Sequence, residues 1–329
     1  GLMLYGDQND RLLKICDTTH WSAVGSSIFH GNWHHMYLFL ASQEDENFRG
    51  FDVSQMEACI SPQVFEIMYK CRNDAIEGVS SAKEWYYTNV VYSYVVDVFG
   101  WLGITIGGNP TGGNNTLTDN TQAKTLVMLY NVACHCQSTE EVVSIYETTP
   151  AKVIGDDNLT VDRPIWNKYV ENALDVSFVV TDEFPPPATI FQVKFMNLGF
   201  TWHGSEQMFV FKPNFDKLFS NLMYNMKAQS WRLVLAKLYS LRVLCWCFAE
   251  RRLELEYYID YVWEKHTLDM KIEKNIEDKL PFDSLKSMHL TKDQINFLIF
   301  GLENGCDQEG PYLVEQACNW VFEDDLQFE

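Results

Sequence analysis

Two adjacent carboxylates, Asp156 and Asp157, stand in a stretch whose flanks leave little choice of structure. Lys152-Val153-Ile154 and Leu159-Thr160-Val161 are short apolar runs on either side of Gly155-Asp156-Asp157-Asn158. Such runs, separated by turn-forming residues, predict a β-hairpin with both acids at its tip. Side by side, two ionised carboxylates repel unless a proton or a cation intervenes. A hard divalent cation with oxygen ligands is one solution. An inert, solvated turn has the same composition and is the commoner outcome for the tetrapeptide taken alone.

Asp52 changes that balance. Phe48-Arg49-Gly50-Phe51-Asp52-Val53 predicts a second short strand ending in an acid, and Glu57 follows a few residues later. A sheet can set a strand-end Asp beside a hairpin tip. Three carboxylates would then hold two metal ions about 4 Å apart, the arrangement that stabilises both oxygens in phosphoryl transfer. The plainer alternative for Asp52 is a surface acid before a helix. A third piece is the loop Gly107-Gly108-Asn109-Pro110-Thr111-Gly112-Gly113, which no regular element accommodates. It opens into a predicted helix over 114–131. Glycines let backbone approach a ligand closely, and a helix start offers free N–H groups. Thr116 and Asn120 share one face of that helix, a hydroxyl and an amide suited to a sugar hydroxyl.

The rest of the chain limits the class of answer. With 47% hydrophobic and 21% charged residues over 329 positions, disorder, collagen and coiled coil are excluded. No apolar run is long enough to predict a transmembrane helix. Gly1 to Asp7 has neither a basic n-region nor a cleavage site, so no signal peptide is expected, and the missing initiator Met suggests a segment of something longer. A net charge of −20 argues against non-specific nucleic-acid binding. Nine cysteines point to a reducing compartment. The pairs Cys134/Cys136 and Cys245/Cys247 suit buried apolar residues better than zinc, and His30, His34 and His35 suit packing or surface roles.

Ser61-Pro62 predicts a capped helix start. Further helices are expected near 31–41 and over 164–174, a strand over 176–181, a second hairpin pair at 194–200 and 208–212, and an aromatic-rich insertion at about 72–103. Helical periodicity takes over from Phe215, as in Leu235, Tyr239 and Val243. The chain is thus α+β in its first part and helical after about residue 213.

In order and spacing, these pieces resemble the palm of viral RNA-dependent RNA polymerases of the picorna-like group. The first motif of that family, an Asp and a second acid, reads here Asp52-Val53-Ser54-Gln55-Met56-Glu57. The second, G-x-P-S/T-G-x-x-x-T-x-x-x-N, runs from Gly108 through Pro110, Thr111, Gly112 and Thr116 to Asn120. The third is Gly155-Asp156-Asp157, and Lys194 to Phe200 resembles the primer-grip hairpin. The resemblance covers roughly residues 20–230 and implies a right-hand polymerase: a small antiparallel palm sheet flanked by helices, an α-helical thumb, and fingers largely missing. The implied division is a residual fingers segment at 1–47, a palm at 48–213 with the insertion at 72–103, and a thumb with a C-terminal tail at 214–329.

It also implies an activity, template-directed RNA synthesis by two-metal nucleotidyl transfer in viral genome replication. Asp52, Asp156 and Asp157 would be catalytic, with Asp157 the weaker metal partner. Asp52, Val53, Asp156 and Asp157 would be the positions for two Mg²⁺ (or Mn²⁺) ions. Glu57, Thr111, Gly112, Thr116 and Asn120 would bind the incoming nucleotide and sense its 2′-hydroxyl, and Phe195, Met196, Gly199 and Phe200 would form the primer grip. The implied partners are an RNA template and primer, ribonucleoside triphosphates and other viral replication proteins, in the host cell cytoplasm at membrane-associated replication complexes.

Several departures stand out. Glu57 replaces the family's usual Asp. The stretch 179–184 lacks the family's lysine, which leaves Lys168 and Lys194 as the nearest, and Asn197-Leu198 stands where basic residues are common. Residues 1–51 contain no basic cluster to hold a triphosphate, so the fragment alone is expected to be inactive. Two other classes are a reverse-transcriptase-like polymerase, which would not be expected to carry the Thr111…Asn120 pattern, and a non-catalytic module whose helical part binds protein.

Overall fold

In the computed structural model, the described residues are 2–15, 20–42, 47–75, 81–96, 98–109, 115–180, 186–224, 231–266 and 287–301, with Val314 and Cys318. In chain order the elements are α1 (Leu2–Ile15), α2 (Asn32–Leu40), β1 (Phe48–Arg49), α3 (Met56–Cys59), α4 (Pro62–Asp74), α5 (Ser81–Val91), β2 (Tyr92–Val96) and β3 (Leu102–Ile106). Then come α6 (Thr116–Ala133), α7 (Thr139–Thr148), β4 (Ala151–Ile154), β5 (Asp157–Val161), α8 (Tyr169–Asp175), β6 (Lys194–Phe195), β7 (Leu198–His203) and β8 (Met208–Lys212). Among the described residues the helices that follow are α9 (Phe215–Tyr224), α10 (Trp231–Leu244), α11 (Ala249–His266) and α12 (Lys292–Phe300). Small antiparallel sheets among helices give the expected α+β class. By internal contacts the chain divides into two units, residues 1–26 with 35–196, and residues 27–34 with 197–329.

In the first unit the apolar runs around Gly155 pair as β4 and β5, from Ala151 opposite Thr160 to Ile154 opposite Asp157. Gly155 takes a φ of +57°, the positive value that the first position of a two-residue hairpin turn demands. β1 adds to the far side of β5, with Phe48 opposite Val161. The outer edge of β4 is covered by Trp21 and Ala23, whose backbones exchange two 2.8 Å hydrogen bonds with Val153. Nearly every residue of β4 and β5 is therefore buried. Phe51, Trp166 and Tyr169 pack as an aromatic group in the same core.

Ser61 caps α4 as expected: its Oγ accepts from the Val64 N–H, and Pro62 opens the helix. α6 is unusual, because its buried side includes Thr118, Asp119, Thr121, Lys124 and Asn131 as well as apolar residues. One of these, Asp119, forms an ion pair with Arg72 of α4 at 2.8 Å, and both side chains are buried. The stretch 72–103, expected as an insertion, takes in, among the described residues, the end of α4, α5, β2 and the first two residues of β3, which pairs with β2.

Three expectations are corrected. Of the strand expected over 176–181, the described residues 176–180 form none, and Val180 makes a single bridge to Val53; residue 181 lies outside the described residues. Ser177, at φ +72°, turns the chain directly after α8, which overrides the β preference of the valines and Phe178. Residues 164–174 do not form one helix: a 3₁₀ turn, Pro164–Lys168, precedes α8. The strand from Phe48 is regular only over Phe48–Arg49.

In the second unit β7 and β8 pair from Gly199 opposite Lys212 to His203 opposite Met208. His34 has a structural role here, its Nδ1 accepting from the Phe209 N–H at 3.2 Å. α10 is buried along most of its length, including Leu235, Tyr239 and Val243. Trp263 of α11 donates its Nε1–H to the Tyr239 hydroxyl at 2.6 Å. A full capping box, Thr291 with Gln294, starts α12.

Candidate active site

The hairpin tip is held by α6. The Gly155 N–H donates to Thr121 Oγ1 at 2.8 Å, and the same hydroxyl donates to Leu117 O one helical turn back. The segment carrying Asp52 is drawn to this tip by Asn158, whose Oδ1 accepts from the Phe51 N–H at 3.2 Å. Gly50 permits the approach, since a Cβ there would stand 2.9 Å from Asn158 O. A second tie comes from Lys124, fully buried on α6, whose Nζ donates to Phe51 O at 2.6 Å. Both acid-bearing segments are thus fastened to one helix, at the residue just before Asp52 and the residue just before Asp156.

Asp52 and Asp156 are exposed, and Asp52 Oδ1 accepts from the Val53 N–H at 2.9 Å. Val53 is buried and bridges to Val180. Asp157 points elsewhere: its Oδ2 accepts from the Met196 N–H at 3.1 Å. Burial first, then repulsion from Asp156 and Asp52, pushes Asp157 up to about 6, against the pull of Lys124 and of the Met196 N–H. Burial pushes Lys124 down to about 7, opposed by Asp156, Asp52 and Asp157. The three acids and the lysine therefore form one electrostatic cluster.

Among the described residues, no three His, Cys, Asp or Glu side chains stand close enough together to enclose a metal ion. Mg²⁺ is usually held by one or two carboxylates, with waters and substrate phosphates completing its shell. Asp52 and Asp156 supply such a donor set of exposed, hard, anionic oxygens.

The other expected site residues divide. Asn120 Oδ1 accepts from Asn109 Nδ2 at 2.8 Å, and the same amide donates to Thr116 O at 3.2 Å, so Asn109 is tied to the first turns of α6. Thr111 and Gly112 lie outside the described residues, as does the side chain of Glu57, which sits on α3. Phe195 is buried in the first unit, and Met196 has a φ of +54°. Gly199 is on β7, and Phe200 stacks on Trp33 at 4.7 Å within the second unit. Lys168 and Lys194 are exposed.

Thr121, Lys124, Asn158 and the Met196 N–H were not singled out from the sequence. Lys124 had a signal, because Thr116, Asn120 and Lys124 recur at spacing four and so share a helix face. Nothing local marks the backbone donors.

A family model described as viral RNA-dependent RNA polymerase matches residues 6–264. The chain is 24% identical over 260 residues to the non-structural polyprotein 1AB of Turkey astrovirus 1, covering 73% of this chain and 16% of that protein. It is 26% identical over 172 residues to the polyprotein 1AB of Ovine astrovirus 1, covering 50% of this chain and 13% of that protein. The genome polyprotein of Beet mosaic virus is 25% identical over 173 residues, 52% of this chain and 5% of that protein. The chain thus spans less than a fifth of each of these polyproteins. Among solved structures, a Sicinivirus 3Dpol RNA-dependent RNA polymerase is similar with a TM-score of 0.59 at 17% identity, over 81% of this chain and 55% of that one. At that identity the likeness shows the fold.

Proposed function

Since the chain belongs to the viral RNA-dependent RNA polymerases, we propose that it carries the palm and thumb of such an enzyme and serves template-directed RNA synthesis in viral genome replication. On this reading the palm spans 48–213 with a fingers insertion at 72–103, the thumb spans 214–329, and 1–47 is a fingers remnant. Asp52 and Asp156 would hold two Mg²⁺ or Mn²⁺ ions, with Val53 beside them and Asp157 as a weaker partner. When bound, such ions offset phosphate charge and stabilise the attacking and leaving oxygens of the transfer.

The chain's own residues do the positioning. Thr121 and Asn158 fix the turn and the Asp52 segment against each other. Asp157 spends one oxygen on Met196, which couples the acid turn to the start of the primer-grip segment. Asn120, oriented by Asn109, presents its amide for the ribose 2′-hydroxyl, the group that separates a ribonucleotide from its deoxy analogue. By the family resemblance Glu57, Thr111, Gly112 and Thr116 belong to that sugar pocket, and Phe195, Met196, Gly199 and Phe200 to the primer grip. The partners are then template and primer RNA, ribonucleoside triphosphates and other viral replication proteins, at membrane-associated complexes in the host cytoplasm.

The observation that carries this reading is that the residues just before Asp52 and Asp156 are both fastened to α6, Phe51 by Lys124 and Gly155 by Thr121. Its test is primer extension by an N-terminally extended polymerase carrying Asp156→Asn. Loss of about three orders of magnitude or more in rate is expected, since the change removes charge and keeps shape. Elongation at a near-normal rate would overturn the assignment.

A further inference from the structure

Lys124 is a cation buried beneath a group of acids, and the proposed chemistry does not call for it. Its side chain is fully buried. A buried ammonium is costly unless other charges and hydrogen bonds answer it. Here Phe51 O accepts at 2.6 Å, and Asp156, Asp52 and Asp157 each favour the charged form. Thr121, one turn earlier on α6, makes the matching tie to Gly155 with no charge at all. If α6 only had to grip two loops, a hydroxyl would serve at both places. The charge at position 124 therefore has its own consequence: it lies inside the protein, where solvent screens it little, and it is bonded to the residue just before Asp52.

We propose that Lys124 is a positioning residue that acts as a fixed internal counter-cation, holding the acids together without metal and lowering their affinity for divalent ions. This deepens the polymerase reading and rests on it. While protonated, the ammonium repels an incoming Mg²⁺ or Mn²⁺. It also relieves repulsion among the acids while that position is unfilled.

The sign of the effect separates this role from mere support. In the 329-residue chain at pH 6, where Lys124 carries its proton, Lys124→Met should bind Mn²⁺ about tenfold more tightly than the parent, because a like charge has been removed from a poorly screened site. Thr121→Val, which loses a tie but no charge, should bind Mn²⁺ equally or more weakly. Without metal, Lys124→Met should unfold at lower temperature than the parent, and Mn²⁺ should raise its midpoint by more. The double variant Lys124→Met/Asp157→Asn, in which one lost positive charge is balanced by one lost negative charge, should recover the metal-free midpoint. Equal or weaker Mn²⁺ binding by Lys124→Met overturns the proposal. So does a double variant no more stable than the single one, since the side chain then acts by packing. Asp156→Asn is the control for the site itself. If it binds Mn²⁺ like the parent, the metal-site reading falls and this proposal with it. If it loses binding while Lys124→Met fails to tighten, only the role given to Lys124 falls.

Discussion

Two hairpins in the same unit have similar apolar strands and opposite fates. β4 and β5 are buried along nearly their whole length and meet at one exposed acid, Asp156, beside the part-buried Asp157. β2 and β3, Tyr-Ser-Tyr-Val-Val and Leu-Gly-Ile-Thr-Ile, are exposed at almost every position, as are Val98, Phe99 and Trp101 in the connection between them. The first hairpin has β1 on one side, Trp21 to Ala23 on the other and α6 against it. Among the described residues, the second pairs only with itself. Apolar β-formers thus specify a strand but not a place in the core. What makes β4–β5 a platform for chemistry is its neighbours, which hold the turn still while leaving Asp156 in water.

Equivalent truncations should expose this contrast most strongly. Leu159 on β5 is fully buried, and Leu102 on β3 is 69% exposed. Leu159→Ala should cost about 2–5 kcal/mol, through lost burial and the cavity left behind. Leu102→Ala should stay within about 0.5 kcal/mol. Urea unfolding of both variants checks this. Similar losses at the two positions would mean that the second hairpin is packed in solution.

How much of this was open to sequence reasoning depends on whether the deciding force is local. The acid-tipped hairpin was legible because a glycine turn between two apolar runs has few alternatives. The start of α4 was legible because Ser61 and Pro62 act on their own backbone. The non-strand at 176–180 was not, because Val179 and Val180 favour strands locally while the turn at Ser177 comes from packing after α8. At the site, the nearness of Asp52 to the turn could be inferred from the order of the pieces. The means could not: an Asn158 amide on Phe51 and a buried Lys124 under the acids are long-range choices. A lysine in a helix ordinarily signals the solvated face, so the usual pattern rule places Lys124 on the wrong side.

A smaller difference between the hairpins lies in how each is held. The Gly155 N–H is bonded to a side chain of α6, whereas in β2–β3 the Thr105 hydroxyl bonds to Ser93 O across the ribbon itself. Thr121→Val should cost about 1–3 kcal/mol, because a buried N–H is left without an acceptor. Thr105→Val removes an exposed bond and should cost about 0.5 kcal/mol or less. Thermal unfolding of the two variants ranks them, and a reversed order would show that α6 does not anchor the turn.

The smallest expected difference is in pH dependence. The strands of β2 and β3 carry no carboxylate, while β5 begins with Asp157. Burial and the neighbouring acids raise Asp157 from 3.8 to about 6 in the folded chain. The folded state therefore binds more protons than the unfolded state between these values, and stability falls as pH rises through that window. The contribution of Asp157 is fully present below about pH 4 and lost above about pH 6. Asp157→Asn should remove this slope, so the variant gains on the parent between pH 4 and 7. After allowance for partial exposure and coupling, the gain should be on the order of 1 kcal/mol. Tyr94→Phe, on the exposed ribbon, should leave the profile unchanged. The measurement is the unfolding midpoint against pH with divalent ions chelated. If Asp157→Asn keeps the slope of the parent, Asp157 is not the group that titrates.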